Sequence, residues 1–455
     1  MRTKSSAQLY LVPAFDSSVK VVKEYVEKYN KLDALLKANP GALDLAHEDL
    51  CKYLSESEDG RESRFTSEEI LRALIVKCIE QEDFRDAIIR ISISDFLRGF
   101  IGFGIYKEVM DFTFLGKASA AISAPTWEAM NAVLAAYGRD EELITGDQQR
   151  ADTTVVETII HYPTDSSLLW DSFRVLARVL QRVQQERRDL GITHRYHVKK
   201  VKKLAYYIAR NAKSRSKATQ RTVKRTYRTL VDRVRWIVGV SREVRMRLGA
   251  AFFEAPELEQ YEPIVERIID QSERRVFDGE VVPADEKVYS LFEDHTEMVI
   301  RGKAGKPVEF GHKVLLVQSG EKFITHYNVF AEQEPDNTMV DSALAAHVEL
   351  FGDLPGVFAT DKGFYESMDK VRQLEKKIDT VSLCKKGRLT EEEWEREHSE
   401  AFQAGQRFRA GVEGSISVLK RAFTLDWCRS KGFKNFATSI GCAVFCHNLV
   451  LLARL

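Results

Sequence analysis

The chain has 455 residues, of which 44% are hydrophobic and 30% are charged. This length accommodates about three domains of average size, and the composition is typical of a soluble globular protein, so collagen-like, low-complexity and largely disordered classes are excluded. The 68 Lys and Arg residues balance 68 Asp and Glu residues. A net charge of zero does not exclude a nucleic-acid partner, because such binding depends on where the charges cluster.

The six cysteines are widely spaced and form neither paired CxxC motifs nor a dense disulfide framework, so we expect a reducing, cytoplasmic location. The apolar stretch before Pro13 is too short for a secretory signal. We expect no membrane span, because even Ile440 to Leu455 is interrupted by polar residues. We also expect no nucleotide cofactor, because the run from Arg301 to Lys306 lacks the spacing of a phosphate-binding loop.

The predicted elements begin with a helical region from Phe65 to about Gly138, which opens on the capping sequence Thr66-Ser67-Glu68-Glu69. A strand is predicted from Ala151 to His161, because seven of its residues are β-branched. After Pro163 the apolar residues follow the spacing of long packed helices. These stripes serve either internal packing or dimerisation.

The stretch 196–247 carries 17 Lys and Arg residues against two acids. Such a run is usually a solvated helical surface, but an excess this one-sided favours an anionic partner. We therefore predict that this segment contacts DNA phosphates. The candidate contacts are Lys199, Lys200, Arg221, Lys224 and Arg225.

Strand character returns in the last third of the chain, and strands and helices alternate there. The predicted elements are a hairpin of 308–317 and 322–329, a helix over 337–351, a strand over 357–360, a short strand over 381–384 and a helix around Glu413. This order predicts an α/β core.

Three acids stand out by their surroundings: Asp152 inside the β-branched strand, Asp361 at the carboxyl end of an apolar strand, and Glu413 on a glycine-punctuated helix. Ligands bind at the carboxyl ends of strands in α/β sheets, and a carboxylate in a central strand needs a partner or a cation. Taken singly, Asp152 is more often a strand-edge acid and Glu413 an ion-pair partner of Arg409. Their joint occurrence favours a catalytic site.

At these positions the sequence resembles the DDE transposases of bacterial insertion sequences. The blocks 152–157 and 161–166 resemble the first-Asp block, and Thr360-Asp361-Lys362-Gly363-Phe364 resembles the second. Arg409-x3-Glu413-x6-Lys420 fits the spacing of the Tyr-x2-Arg-x3-Glu-x6-Lys signature of one large group. Gln406 takes the place of the signature tyrosine, so the role of that ring does not transfer.

The resemblance implies an α/β fold with an RNase H-like catalytic core, formed by 141–165 and 281–455. An all-α N-terminal domain over 1–140 would serve DNA binding or dimerisation. Asp152 and Asp361 are 209 residues apart, whereas Asp361 and Glu413 are 52 apart. The basic helical segment, 166–280, is therefore expected to be an insertion after the first strand.

The resemblance also implies the chemistry: Asp152, Asp361 and Glu413 would be the catalytic residues and the ligands of Mg²⁺ or Mn²⁺, with two ions expected. The enzyme would act as a homo-oligomer on double-stranded DNA, cleaving terminal inverted repeats and joining the freed 3′-hydroxyl to target DNA. The residues expected to contact phosphates at the site are Arg409, Lys420 and Lys313. The alternatives are a nuclease of the same fold without strand transfer, and a catalytically silent DNA-binding descendant.

Two further groups are interpreted as structural or supporting. Glu157, His161 and Asp165 lie near the first block, but strand alternation places Glu157 on the face opposite Asp152. The motif Cys442-x3-Cys446-His447 suggests a zinc site, but its apolar neighbours favour small core residues.

Overall fold

The structure is a computed structural model that describes residues 2–5, 17–54, 63–104, 106–303 and 305–455. Most of the stretch before Pro13, on which the absence of a secretory signal was argued, lies outside the described residues. Ala304, in the run that lacks phosphate-loop spacing, lies outside them as well.

Helices fill the described chain before the first strand. They are α1 (Lys20–Ala38), α2 (Pro40–Tyr53), α3 (Ser67–Ile79), α4 (Phe84–Ile93), α5 (Asp95–Ile101), α6 (Phe112–Ala121) and α7 (Ala124–Asp140). At the start of α3, the Thr66 hydroxyl accepts the amide of Glu69 at 3.2 Å, and the Glu69 carboxylate accepts the amide of Thr66 at 2.8 Å. This capping box confirms the helix start that the sequence predicted.

The strands form a mixed sheet. They are β1 (Gln148–Thr158), β2 (Glu297–Lys303), β3 (Lys306–Ser319), β4 (Ile324–Val329), β5 (Val357–Thr360), β6 (Thr380–Ser382) and β7 (Trp427–Cys428). Strand β1 lies between β3 and β5, and β6 follows β5. The pairs β1 with β5 and β5 with β6 are parallel, whereas β3 pairs antiparallel with β4. Sheet and helices together confirm the α/β class.

The remaining helices alternate with the later strands or fall between β1 and β2. They are α8 (Asp165–Glu186), α9 (Val198–Asn211), α10 (Lys217–Leu248), α11 (Pro256–Glu273), α12 (Val340–Phe351), α13 (Met368–Glu375), α14 (Glu391–His398), α15 (Glu400–Ala422) and α16 (Phe433–Leu452). Strand β5 has the predicted bounds, whereas β1 begins three residues before the predicted Ala151, because Gln148 already pairs with Val357.

The chain divides into a main unit, Met1–Glu157 with His312–Leu455, and an inserted unit, Thr158–Gly311. The predicted insertion, 166–280, is therefore shorter than the unit observed, because β2 and the first part of β3 pair with each other inside the inserted unit. The predicted N-terminal domain, 1–140, is not a compact unit by itself. Its helix α7 packs on α16 through Trp127 and Phe445, whose ring centroids are 5.6 Å apart.

The inserted unit has its own apolar core. Leu169, Phe173 and Leu176 of α8 are buried, and so are Val231 and Val234 of α10. These residues belong to the apolar stripes for which the sequence allowed either internal packing or dimerisation. In the structure they pack against each other within the inserted unit.

Among the described helices, α16 alone has the length and composition of a membrane span, with a mean hydropathy of 1.5. We expected no apolar run long enough to span a membrane, on the basis of the segment from Ile440 to Leu455. The helix begins seven residues earlier, at Phe433, and this longer segment contains an apolar window of the required length. In the protein 78% of that window is buried, as in the core helix of a soluble protein. The helix fills the main core together with α3 and α7.

Candidate active site

The parallel pairing of β1 with β5 brings two of the predicted acids to neighbouring positions in the sheet. The register aligns Ala151 with Thr360, and these two residues are followed by Asp152 and Asp361. Adjacent strands lie about 4.8 Å apart, so these carboxylates extend from neighbouring positions. Asp152 is 8% exposed, whereas Asp361 is half-buried and accepts the Gly363 amide at 2.7 Å.

Helix α15 supplies the third acid and the basic residue that joins it to the sheet. One guanidinium nitrogen of Arg409 donates to Asp152 Oδ2 at 3.0 Å, and another donates to Glu413 Oε1 at 3.1 Å. The Glu413 side chain is 66% exposed. Arg409 therefore connects the buried carboxylate on β1 with the exposed carboxylate on the helix.

Burial and the charges of Arg409 and Asp361 set the electrostatics of Asp152. Burial raises the pKa of the Asp152 carboxyl, the charge of Arg409 lowers it, and the charge of Asp361 raises it again. The net effect is a raised pKa. Clustered carboxylates of this kind repel each other, and a divalent cation would relieve that repulsion.

The donor set fits a hard cation, because Mg²⁺ and Mn²⁺ prefer carboxylate oxygens over nitrogen or sulfur. The three acids do not, however, converge as one preformed cluster. Among the described residues, no group of three acids, histidines or cysteines with ligand atoms within 4.8 Å of one another includes Asp152, Asp361 or Glu413. The guanidinium of Arg409 lies between Asp152 and Glu413.

The two lysines predicted at the site both bond to protein groups. Lys420 donates to the backbone oxygen of Val155 on β1 at 2.8 Å, and so joins α15 to the sheet. Lys313 donates to the carboxylate of Asp336 at 2.7 Å. Both ammonium groups therefore hold the local structure.

Asp336 is an acid of the site that the sequence analysis missed. Its Oδ2 accepts the Thr153 hydroxyl at 3.2 Å, and a Cβ built on Gly363 would lie 2.8 Å from that oxygen and 2.7 Å from Asp361 Oδ1. Asp336 and Asp361 therefore face the same glycine. Asp336 lies in a short 3₁₀ turn before α12, and only its position ahead of a predicted helix could have drawn attention to it.

Gln406 anchors α15 to the ends of two strands. Its side-chain amide donates to the backbone oxygen of Ser382 at 2.8 Å and to the Ser382 hydroxyl at 3.0 Å. A longer bond of 3.3 Å reaches the backbone oxygen of Thr360, next to Asp361. The side chain thus has a positioning role.

Arg150 makes a second anchor for α15. It is 3% exposed and donates to the backbone oxygen of Phe408 at 2.9 Å, so the helix lies directly over β1. Gly411 makes this approach possible, because a Cβ there would lie 2.2 Å from a guanidinium nitrogen of Arg150. Arg409 is the residue that follows Phe408, so the bond from Arg150 fixes the helix next to Arg409.

The residues interpreted as supporting lie in different surroundings. Glu157 is buried at the end of β1 in the main unit. In the inserted unit, His161 lies 3.3 Å from Asp171, and Asp165 accepts from Arg275 at 3.0 Å. His161 and Asp165 thus make ion-pair contacts within that unit.

The basic residues predicted to contact DNA are exposed on two helices of the inserted unit. Lys224 also donates to the backbone oxygen of Phe277 at 3.1 Å. The exposed members on α9 are Lys199 and Lys200, and those on α10 are Arg221, Lys224 and Arg225.

Residues 268–449 match a protein-family model described as "Transposase DDE domain". The match contains Asp361 and Glu413 and begins after Asp152. No curated protein and no solved structure gives a significant match. This part of the chain is therefore similar to the DDE domain of transposases.

Proposed function

We propose that this chain is the transposase of an insertion sequence, which cleaves the ends of its element and joins the freed 3′-hydroxyl to target DNA. Asp152, Asp361 and Glu413 are the catalytic carboxylates of this proposal. The observation that carries it is the parallel register of β1 and β5, which aligns Ala151 with Thr360 and so brings Asp152 beside Asp361.

The same proposal takes the sheet as an RNase H-like core. In its support, β1 carries the first acid, has β3 on one side and the parallel strand β5 on the other, and β5 leads directly to the second acid. Helix α15 carries the third acid, Glu413, and Arg409 donates both to Glu413 and to Asp152 on β1.

A divalent ion, Mg²⁺ or Mn²⁺ and most simply a pair, would activate the attacking oxygen and stabilise the leaving oxygen at phosphorus. The residues that would hold it are Asp152, Asp361 and Glu413. Arg409 pairs with two of these acids, Asp152 and Glu413, and so balances part of their negative charge. Its planar guanidinium is also suited to bidentate contact with a phosphate.

The proposed substrate is double-stranded DNA, both as terminal repeats and as target. Exposed lysines and arginines on α9 and α10 support a phosphate contact by the inserted unit. We propose a cytoplasmic homo-oligomer, because transfer of paired ends needs two copies of the site. The scheme uses neither a nucleotide cofactor nor a membrane.

The test uses purified protein, Mg²⁺ and a plasmid that carries the element with its ends. Asp152→Asn, Asp361→Asn and Glu413→Gln should each lower end cleavage by more than about 100-fold while leaving DNA binding intact, because each removes a ligand charge and not a surface contact. The matched controls are Asp369→Asn, an exposed acid, and Glu400→Gln, an exposed acid on α15. Wild-type cleavage by any of the three site variants would remove that residue from the proposed role.

A joining assay separates the proposal from its alternatives. A labelled 3′-hydroxyl end should become covalently attached to a target plasmid in the presence of wild-type protein and Mg²⁺. Cleavage without joining would indicate a nuclease. Binding without cleavage would indicate a catalytically silent DNA-binding protein.

A further inference from the structure

Three thiols converge in the main unit, on helices other than the one that carries Glu413. Cys78 lies in the last turn of α3, and Cys442 and Cys446 lie one turn apart on α16. Their sulfur atoms are all within 4.8 Å of one another. Cys78 and Cys442 are 364 residues apart in sequence, so the cluster is created by the packing of α3 on α16.

The geometry suits a metal ion without rearrangement of the helices. A metal–sulfur distance of about 2.3 Å places three sulfur ligands about 3.8–4.0 Å apart, depending on whether the ion is tetrahedral or trigonal. The observed limit of 4.8 Å is within reach of that spacing by side-chain rotation. Two ligands one helical turn apart point to the same side of α16, which is the usual arrangement for metal ligands on one helix.

The cluster lies against the main apolar core. Cys446 is a buried member of that core, and the half-buried Cys78 and Cys442 pack against it. An ion held by the three thiols would therefore lose most of its water.

The sequence motif alone pointed to a different ligand set. His447 follows Cys446, but its Nδ1 lies 3.1 Å from Asn448 Oδ1, and the metal-competent group among the described residues consists of the three thiols without it. The third ligand is Cys78, which no local spacing connects to Cys442. The motif Cys442-x3-Cys446-His447 therefore contains two of the three clustered thiols but not the third, Cys78.

We propose that Cys78, Cys442 and Cys446 form a binding site for one thiophilic d¹⁰ metal ion, either Cu⁺ held by three thiolates or Zn²⁺ with a water as its fourth ligand. Thiolates select these ions over Mg²⁺ or Ca²⁺, which prefer oxygen. On binding, the thiol protons pass to solvent and three metal–sulfur bonds form. The ion would join α3 to α16, and so tie the N-terminal helices to the C-terminal helix of the main unit.

The first experiment uses the wild-type chain, stripped with a chelator and kept reduced. Zn²⁺, Cu⁺ or Mg²⁺ is added, the protein is treated with an alkylating reagent, and the modified cysteines are mapped by mass spectrometry. Zn²⁺ or Cu⁺ should protect Cys78 and Cys442 from alkylation, whereas the exposed Cys51 should remain reactive and Mg²⁺ should protect neither. Equal alkylation of Cys78 and Cys442 with and without each thiophilic ion would overturn the proposal.

The second experiment measures bound metal per chain. Wild-type protein should retain about one ion per chain after dialysis, and Cys442→Ser and Cys446→Ser should retain none. Cys51→Ser is the matched control, because Cys51 is an exposed thiol that lies 3.6 Å from a ring nitrogen of His47. Loss of metal in Cys51→Ser, or retention in both cluster variants, would contradict the proposal.

Metal binding should also raise the unfolding temperature of wild-type protein, because a ligand that binds only the folded state stabilises it. Cys51→Ser should show the same rise, and Cys442→Ser should show none. This readout does not involve DNA cleavage, so its failure and a failure of the transposase assignment are distinguishable.

Discussion

Gln406 joins α15 to two neighbouring strands through one side-chain amide. Its Nε2 donates to the backbone oxygen and the hydroxyl of Ser382 on β6, and also reaches the backbone oxygen of Thr360 on β5. The bond to Thr360 ends next to Asp361. The amide has two N–H donors for these groups, whereas a hydroxyl such as that of tyrosine has one.

Gln406→Ala should therefore destabilise the protein by about 1–2 kcal/mol, since it leaves acceptors of the buried residues Thr360 and Ser382 without their donor. The free energy of unfolding in urea measures this loss. Gln403→Ala is the matched control on the same helix, because Gln403 is exposed and bonds only to the backbone oxygen of Glu397. Equal losses in both variants would show that Gln406 has no special anchoring role.

Helix α15 lies on the sheet by means of glycines that leave room for side chains beneath them. A Cβ on Gly411 would lie 2.2 Å from Arg150, whereas a Cβ on Gly414 would have no heavy atom within 4 Å. The two glycines are less than one turn apart and differ only in what they face. They form a natural pair for measuring how closely the helix must approach β1.

Gly411→Ala should displace α15 or Arg150, and so lower both stability, by about 1–3 kcal/mol, and cleavage activity. Gly414→Ala should instead stabilise the protein by about 0.5–1 kcal/mol, because alanine is favoured over glycine inside a helix. Denaturant unfolding of the two variants gives the comparison. A neutral Gly411→Ala would mean that Arg150 can move without cost.

The spacing of apolar residues predicted an element well where one spacing, that of a strand or that of a helix, runs through the whole element. Strand β5 and the helix around Glu413 follow directly from an apolar run and from apolar residues three and four apart. The same reasoning could not find Asp336, because its role arises from the meeting of three distant segments at Gly363. Nor could it find the third thiol, Cys78, which joins Cys442 only through helix packing.

Strand pairing also shapes the compact units of the chain. The predicted insertion, 166–280, is what the family resemblance implies, whereas the inserted unit extends from Thr158 to Gly311 and includes β2 and the first part of β3. Strand pairing between distant residues leaves little local signal. For the same reason, the predicted N-terminal domain, 1–140, proved to share a core with α16.

At the scale of the whole molecule, charge is concentrated although its sum is zero. The exposed Arg221 and Arg225 on α10 belong to the stretch 196–247, where bases outnumber acids 17 to two. If this surface neutralises phosphates, binding releases counterions and weakens as salt rises. The effect should be independent of DNA sequence.

Arg221→Ala and Arg225→Ala should each weaken DNA binding for all sequences and reduce the slope of log affinity against log salt by about 1. Fluorescence anisotropy over a salt series measures that slope. Arg187→Ala is the control, because it changes the net charge equally but removes an arginine that is paired with Asp189 at 2.8 Å. Identical slopes for all three variants and the wild type would argue against the basic helices as the DNA contact.

The position of β1 in the chain also has a consequence for biosynthesis. Its sheet partners β3, β5 and β7 are all translated after it, and the inserted unit, Thr158–Gly311, emerges from the ribosome before these partners are complete. For that interval the nascent polypeptide carries a β-branched strand with open edges, which is a hazard for aggregation. Early folding of the inserted helices would bring the following strand β3 closer to β1. Chaperones that shield exposed strands would be needed most at this stage of translation.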